Sequence, residues 1–385
     1  MSRTVSINIT PEPHAYDIYI DDGGLSSVGE WAKAATGGSV AKIAIISNKK
    51  VFGLYGALVE SSLTSAGFAV SMFLIGDGER YKNLQTFEKV TGFLGANGFT
   101  RTDAVLALGG GVVGDIAGFA ASVHMRGIKL LQIPTTLLAM IDSSVGGKTA
   151  VNTANGKNLV GAFYQPSGVL IDTQVLRTLP RREITAGLCE AVKQAVLSGG
   201  ETFSLLREFL EMFQPGRLKA QFTNPEFVLR LNDIIASQAA FKATIVAADE
   251  REDLARSDGS SRKILNLGHT LAHALEKATA YRYFKHGEAV GWGLMFAAEV
   301  SKKLELLDEN TVILLNDVVH RAGKLPAIAH LDPVKVFDSF RYDKKVVRES
   351  LQWVLLRGIG KPVIIPQTQI PVSVLVSSFQ QLASR

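Results

Sequence analysis

Between residues 42 and 171, short β-branched apolar runs alternate with helical or glycine-rich stretches, and this alternation constrains the fold more than any other feature. The runs at 42–46, 70–74, 104–108 and 130–133 have the continuous apolar character of strands buried on both faces, and 169–171 fits one more. Helical periodicity fills 51–66 and 84–97 between them. Such alternation predicts an α/β layer built on a parallel sheet. Residues 5–9 and 16–20 read as an opening hairpin. After Leu179-Pro180 the texture changes: 182–197, 202–212, 226–248, 263–279, 288–304 and 310–322 read as helices, punctuated by Pro215, Pro225, Pro326 and Pro333. Only 351–356 and 363–365 look extended again. A chain of 385 residues exceeds one ordinary core, so the expectation is an α/β domain over 1–179 and a mostly α-helical domain over 180–385.

Composition excludes several classes. Hydrophobic content of 46% with 20% charge is that of a packed globular chain rather than a disordered one. The weakly charged stretches 104–123 and 289–298 are broken by glycines or Asp115, so no membrane span is expected. The opening MSRTVSINIT lacks a basic-then-apolar leader pattern, which predicts a cytoplasmic protein. The single cysteine, Cys189, rules out an internal disulfide and a cysteine-built zinc site. A net charge of +5 without basic runs argues against nucleic acid and for a small anionic ligand.

Four constellations could carry chemistry. Three of the seven histidines fall close together, at His269, His273 and His286. His269 and His273 share one face of a helix, and two or three imidazoles need one carboxylate to complete a catalytic metal site. Glu190, in an apolar helical stretch with Lys193 one turn on, is a candidate for that carboxylate, because a buried carboxylate needs a partner or a metal. The residue after His269 is Thr270, so the metallopeptidase glutamate is missing. The run Gly109-Gly110-Gly111-Val112-Val113-Gly114-Asp115 joins a strand to a helix and satisfies G-x-G-x-x-G, a spacing that lets a backbone approach a pyrophosphate. About twenty residues on stand Ile133-Pro134, with no acid to hold a ribose. Finally, Thr135-Thr136, Asp142-Ser143-Ser144, Gly146-Gly147-Lys148-Thr149 and Gly156-Lys157-Asn158 supply hydroxyls, glycines and lysines suited to phosphate or carboxylate oxygens, without Walker spacing.

Taken together, these motifs resemble the dehydroquinate synthases, within the sugar-phosphate cyclases. The resemblance runs from about residue 43 to 365 and is strongest at 109–115, 134–136, 142–152, 156–166, 179–193, 266–273 and 286–290, with Asp343-Lys344-Lys345 and 354–356 also fitting. It implies a Rossmann-like NAD-binding domain, a helical metal- and substrate-binding domain, and the cofactors NAD and a divalent metal, zinc or cobalt. Carried over, the metal ligands are Glu190, His269 and His286, and His273 faces substrate. Asp142, Lys148, Asn158, Lys193, Lys242, Glu252, Arg262, Asn266 and one lysine of the pair, Lys344, would line the substrate site. Arg126 would reach the phosphate of a neighbouring subunit's substrate, which implies a homodimer. Glu79, Lys82, Gly110, Gly111, Gly114, Asp115, Thr135, Thr136, Lys148, Lys157 and Thr178 would lie by the cofactor. Asn48 stands where the family usually has an aspartate near the adenosine ribose, and the link 253–261 is longer than usual.

The implied reaction converts 3-deoxy-D-arabino-heptulosonate 7-phosphate, an anionic sugar-acid phosphate, to 3-dehydroquinate and phosphate. Transient oxidation by NAD acidifies a neighbouring carbon, phosphate leaves, the hydride returns and an aldol closure forms the ring. The substrate's own phosphate can accept the proton, so no protein general base is assigned. Rivals are cyclases of the 2-epi-5-epi-valiolone or 2-deoxy-scyllo-inosose synthase type, a metal-dependent polyol dehydrogenase, and a non-catalytic sensor. Lys148, Arg262 and Asn266 favour the synthase, since only its substrate carries a carboxylate for them to hold.

Overall fold

A computed structural model describes residues 14–213, 218–253, 255–338, 346–347 and 350–384. Six strands form one all-parallel sheet: β1 (Ile18–Asp21), β2 (Lys42–Asn48), β3 (Ala69–Ile75), β4 (Ala104–Gly109), β5 (Lys129–Pro134) and, after a hairpin, β8 (Gly168–Asp172). Their order is β1-β8-β5-β4-β2-β3. Alternate residues of the central strands feed two cores. Ile43, Ile45, Leu106 and Leu108 face one side, while Ala44, Ile46, Val105 and Ala107 face the other. Helices α1 (Val28–Thr36), α2 (Ala57–Ser65), α3 (Leu84–Ala96) and α4 (Gly111–Val123) cover the sheet, which is why its strands read as unbroken apolar runs.

The strand expected at 16–20 is Ile18–Asp21, and it pairs in parallel with β8, in register Ile18 with Val169. Asp172 at the end of β8 supports this pairing. Its carboxylate accepts the backbone N–H groups of Gly23 (3.1 Å) and Leu25 (3.0 Å), fastening the turn after β1 to this strand. Residues 5–9 lie outside the described residues. One difference is an antiparallel hairpin, β6 (Lys148–Thr153) with β7 (Gly156–Phe163), where the sequence suggested only a polar lining.

Beyond β8 lie α5 (Arg181–Ser198), α6 (Gly200–Met212), α7 (Pro225–Ala248), α8 (His269–Ala278), α9 (His286–Lys303), α10 (Glu309–Ala322) and α11 (Val372–Ala383). A small antiparallel sheet orders β11 (Pro362–Pro366), β10 (Ser350–Leu356) and β9 (Val346–Val347). Among the described residues no helix is long and apolar enough to cross a membrane. Helices α5 and α9 are buried almost all round, as central helices must be. The helix expected over 263–279 is broken: a 3₁₀ turn, Arg262–Asn266, precedes α8. Gly268 sits between them with φ of 77° and its backbone against Gly293 of α9. A side chain at Gly293 would meet the Gly268 carbonyl oxygen at 1.9 Å, so this contact admits only glycine.

Gly293→Ala is therefore expected to lower stability by about 1–3 kcal/mol through overpacking. Gly92→Ala, in α3 with open space at its Cβ position, should raise it by up to about 1 kcal/mol. Chemical denaturation midpoints of both variants check the pair, and a neutral Gly293→Ala would refute the packing argument.

Candidate active site

The glycine run sits where β4 passes into α4. Gly110 caps the helix, and Cβ atoms at Gly110 and Gly111 would come within 3.0 Å of Thr136 Cγ2 and Ser143 Oγ, respectively. Free N–H groups at this helix start form an anion cradle. Asp115, in the first turns of α4, pairs with Lys82, whose ammonium also donates to Asn158 Oδ1 at 2.6 Å. Burial pushes the Asp115 pKa up against the pull of Lys82. Glu79 accepts from Asn152 of the hairpin at 2.8 Å. The backbone N–H of Thr135 donates to the Gly109 carbonyl, and Thr136 Oγ1 accepts from the Ala139 N–H, so both threonines brace this loop. Thr178 shares a 2.6 Å hydrogen bond with Tyr55. Asn48 caps a helix through Val51 N–H and lies 3.4 Å from the Asp77 carboxylate, so an acid stands beside the position where the sequence lacked one.

On the helical side, Glu190 is fully buried in α5. Its Oε1 lies 3.7 Å from His269 Nε2 and 3.5 Å from His286 Nε2, and the three donor atoms fall within 4.8 Å of one another. Lys193 Nζ stands 2.6 Å from Oε2, yet neither carboxylate oxygen receives a hydrogen bond of acceptable geometry. Both imidazoles turn the other nitrogen away. His269 Nδ1 meets the Leu267 carbonyl at 3.1 Å, and His286 Nδ1 meets Glu276 Oε2 at 3.2 Å. A carbonyl only accepts, so the His269 Nδ1 carries a proton and Nε2 is the edge turned toward Glu190. Two imidazole nitrogens and an unsatisfied carboxylate fit a divalent cation with open positions.

Glu276 was not anticipated. It lies seven residues after His269 and three after His273, on the same face of α8, and that spacing was the available signal. Burial alone would raise its pKa, but His286 and Lys157 hold it down to about 2. The same pairing raises His286 against its own burial. Lys157, expected beside the cofactor, pairs with Glu276 at 3.2 Å and lies 4.2 Å over the Tyr281 ring. His273 completes a second group with Glu276 and His286.

Cations gather between these two sides. Asp142 pairs with Lys242 at 2.8 Å and accepts from Gln194 at 3.3 Å. Burial opposes its charge, but Lys242 and Lys193 hold its pKa well below the usual carboxylate range. Lys148 pairs with Glu252, which also accepts from Asn266 at 3.4 Å. The Arg262 guanidinium donates to the carbonyls of Glu250 (2.6 Å) and Gly146 (2.8 Å). Gly146 has φ of 95°, and a Cβ there would strike Arg262 Nη2 at 2.6 Å. Burial depresses the pKa of Lys148, Lys242 and Arg262. Arg126 stands apart, exposed on a 3₁₀ turn in which Met125 (φ 52°) and Arg126 (φ 66°) both hold left-handed conformations. Lys344 lies outside the described residues.

Family models described as 3-dehydroquinate synthase N-terminal and 3-dehydroquinate synthase C-terminal match residues 72–186 and 187–346. A 3-dehydroquinate synthase of Nostoc sp. is 39% identical over 93% of this chain and 94% of its own length. The chain belongs to the 3-dehydroquinate synthase family. Among solved structures, 2-epi-5-epi-valiolone synthase from Streptomyces hygroscopicus subsp. jinggangensis, with NAD+ and Zn2+ bound, aligns with a TM-score of 0.84 at 26% identity, covering 98% of this chain and 99% of that one. A 2-deoxy-scyllo-inosose synthase complexed with carbaglucose-6-phosphate, NAD+ and Co2+ aligns with a TM-score of 0.79 at 26% identity, covering 95% and 96%. The Rossmann-like sheet and helical second half are thus those of the sugar-phosphate cyclases, and the chain is an enzyme of that group.

Glu276→Gln keeps the shape but removes the charge that orients His286. Zinc competition against a chromogenic chelator should show affinity falling about 10- to 100-fold; unchanged affinity would remove Glu276 from the centre.

Proposed function

We propose that the chain is a phosphate-eliminating lyase that converts 3-deoxy-D-arabino-heptulosonate 7-phosphate to 3-dehydroquinate and phosphate, using NAD and a divalent zinc or cobalt ion. The observation that carries the reading is the joining of Lys148, Glu252, Arg262 and Asn266 into one cluster beside Glu190, His269 and His286. Such a cluster suits a substrate with a carboxylate, whereas sedoheptulose or glucose phosphates have none. The naming of the curated relatives at 39–40% identity supports the same choice.

Glu190, His269 and His286 would hold the metal, which when bound supplies Lewis acidity toward a substrate oxygen. Gly110, Gly111 and Gly114, with Glu79, Lys82, Asp115, Thr135, Thr136 and Thr178 nearby, would hold NAD, which when bound supplies reversible hydride transfer. The protein's own work is positioning and electrostatics. Lys148, Arg262 and Asn266 clamp the carboxylate. Lys193, Lys242, Asp142, Asn158 and His273 orient hydroxyl and phosphate oxygens, and the lysines among them favour phosphate departure. No side chain is needed as general base, since the phosphate can take the proton. In this scheme residues 1–179 hold NAD and 180–385 hold the metal and most of the substrate, with Asp142, Lys148 and Asn158 of the first part reaching the substrate as well. Arg126 completes the phosphate site of a second subunit in a homodimer. Its strained, exposed turn and the exposed Val123 and Met125 beside it support that role.

Incubation with the heptulosonate phosphate and trace NAD should release phosphate without accumulating NADH, with activity lost to a chelator and restored by zinc or cobalt. Turnover of sedoheptulose 7-phosphate instead would overturn the substrate. Lys148→Ala should lower kcat/KM by roughly 10²–10³ while leaving metal content unchanged; loss of metal would show that Lys148 belongs to the metal shell.

A further inference from the structure

We propose that the Arg182–Glu288 ion pair is a positioning device for the metal centre, setting the gap between His286 and Glu190 from outside the ligand set. The inference rests on the metal-site reading above. Glu190 lies in mid-helix on α5 and His286 opens α9, so only packing relates one to the other. Glu288 is fully buried two residues after His286, and Arg182 grips it with both prongs. Nε donates to Oε1 at 2.7 Å and Nη2 to Oε2 at 2.6 Å. A two-pronged guanidinium–carboxylate pair fixes orientation as well as distance.

The rest of the junction follows from that grip. Arg182 Nη2 also donates to the Tyr283 carbonyl at 2.8 Å, so one guanidinium spans the approach to α9 and its first turn. Glu288 Oε2 accepts the Lys285 N–H at 2.8 Å, capping the helix start. A second pair of opposite polarity, Lys285 with Glu183 at 2.6 Å, ties the residue before His286 to the same turn of α5. His286 is thus flanked on both sides by residues fastened to 182–183. Between the helices Gly287 lies on Ala186, where a Cβ would fall 1.9 Å from the carbonyl oxygen. Ala186 and Glu190 are one turn apart on one face of α5. Drawing the start of α9 onto that turn is what leaves His286 Nε2 3.5 Å from Glu190 Oε1. For stability alone, an ion pair with one member fully desolvated gains little over an apolar pair of the same volume. Its geometric specificity is what an apolar pair could not supply.

The test uses full-length protein freed of metal by chelation and titrated with Co2+, reading the visible d–d bands for affinity and coordination and circular dichroism for fold. Arg182→Lys keeps the charge but loses the fork, and Glu288→Gln keeps the shape but loses the charge. Both should fold, bind Co2+ roughly tenfold or more weakly, and show altered d–d bands. Glu183→Gln, at a partly exposed carboxylate, should lose less. Wild-type Co2+ affinity and spectrum in Arg182→Lys would overturn the proposal, whatever happens to the melting temperature. Should Glu288→Gln not fold, Arg182→Lys decides alone. His286→Ala separates the two ideas. If it binds Co2+ as tightly as wild type, the metal-site reading fails and the clamp with it. If it weakens binding while Arg182→Lys does not, only the clamp fails.

Discussion

A carboxylate with no exposure, Glu190, sits at the middle of a helix buried from Ile184 to Leu197, and much of the architecture answers to it. Removing an ionised carboxylate from water costs several kcal/mol unless charges and hydrogen bonds replace the solvent. Lys193, one turn away, supplies the opposite charge but not a well-formed hydrogen bond. Compensation must therefore come from the two imidazole edges and what they can hold. For the edges to arrive, α8 and α9 must approach closely, and glycine makes that possible. Gly293 lets α9 lie on the Gly268 backbone, and Gly268 in turn bends the chain so that α8 begins at His269.

Around this centre cations and carboxylates are packed together. Lys148, Lys193, Lys242 and Arg262 face Asp142, Glu190 and Glu252, and Asp249 and Glu250 also act on Arg262. Burial pushes Lys148, Lys242 and Arg262 below their ordinary pKa values, and Arg262 adds to that push on both lysines. A pocket in which cations are held charged against their own desolvation gains free energy when an anion enters. The binding of an anionic sugar phosphate is thus prepared by the fold rather than by any single residue.

Much of the fold was legible because buried parallel strands leave an unbroken apolar signature, and the observed β2, β4, β5 and β8 contain the expected runs. The pairing of β1 with β8 was not, since a parallel partner so much later in the chain leaves no local mark; Asp172, which fastens the turn after β1 to β8, reads in sequence as an ordinary polar residue. The metal-side residues were legible where spacing repeats on one helix face, as for His269 and His273. Glu190 joins them only in three dimensions, and apart from the family resemblance its apolar setting was the hint. Glu276 shared the helical spacing but was hidden among surface-like charges at 276–277.

The β6–β7 hairpin shows what periodicity could not convey. Its tip residues Lys157 and Asn158 are adjacent, and Asn158 holds a left-handed φ of 52°. In that conformation the two side chains diverge. Asn158 accepts from Lys82, which is paired with Asp115 at the glycine loop, while Lys157 pairs with Glu276, which orients His286. A polar stretch that reads as phosphate lining is therefore also a strut between the two halves of the site. Asp115, Lys82, Asn158, Lys157, Glu276 and His286 form an unbroken run of contacts from the start of α4 to the start of α9. Displacement of the hairpin would disturb both ends together, so the glycine loop and the imidazole cluster are held in register by two neighbouring residues at the start of one strand.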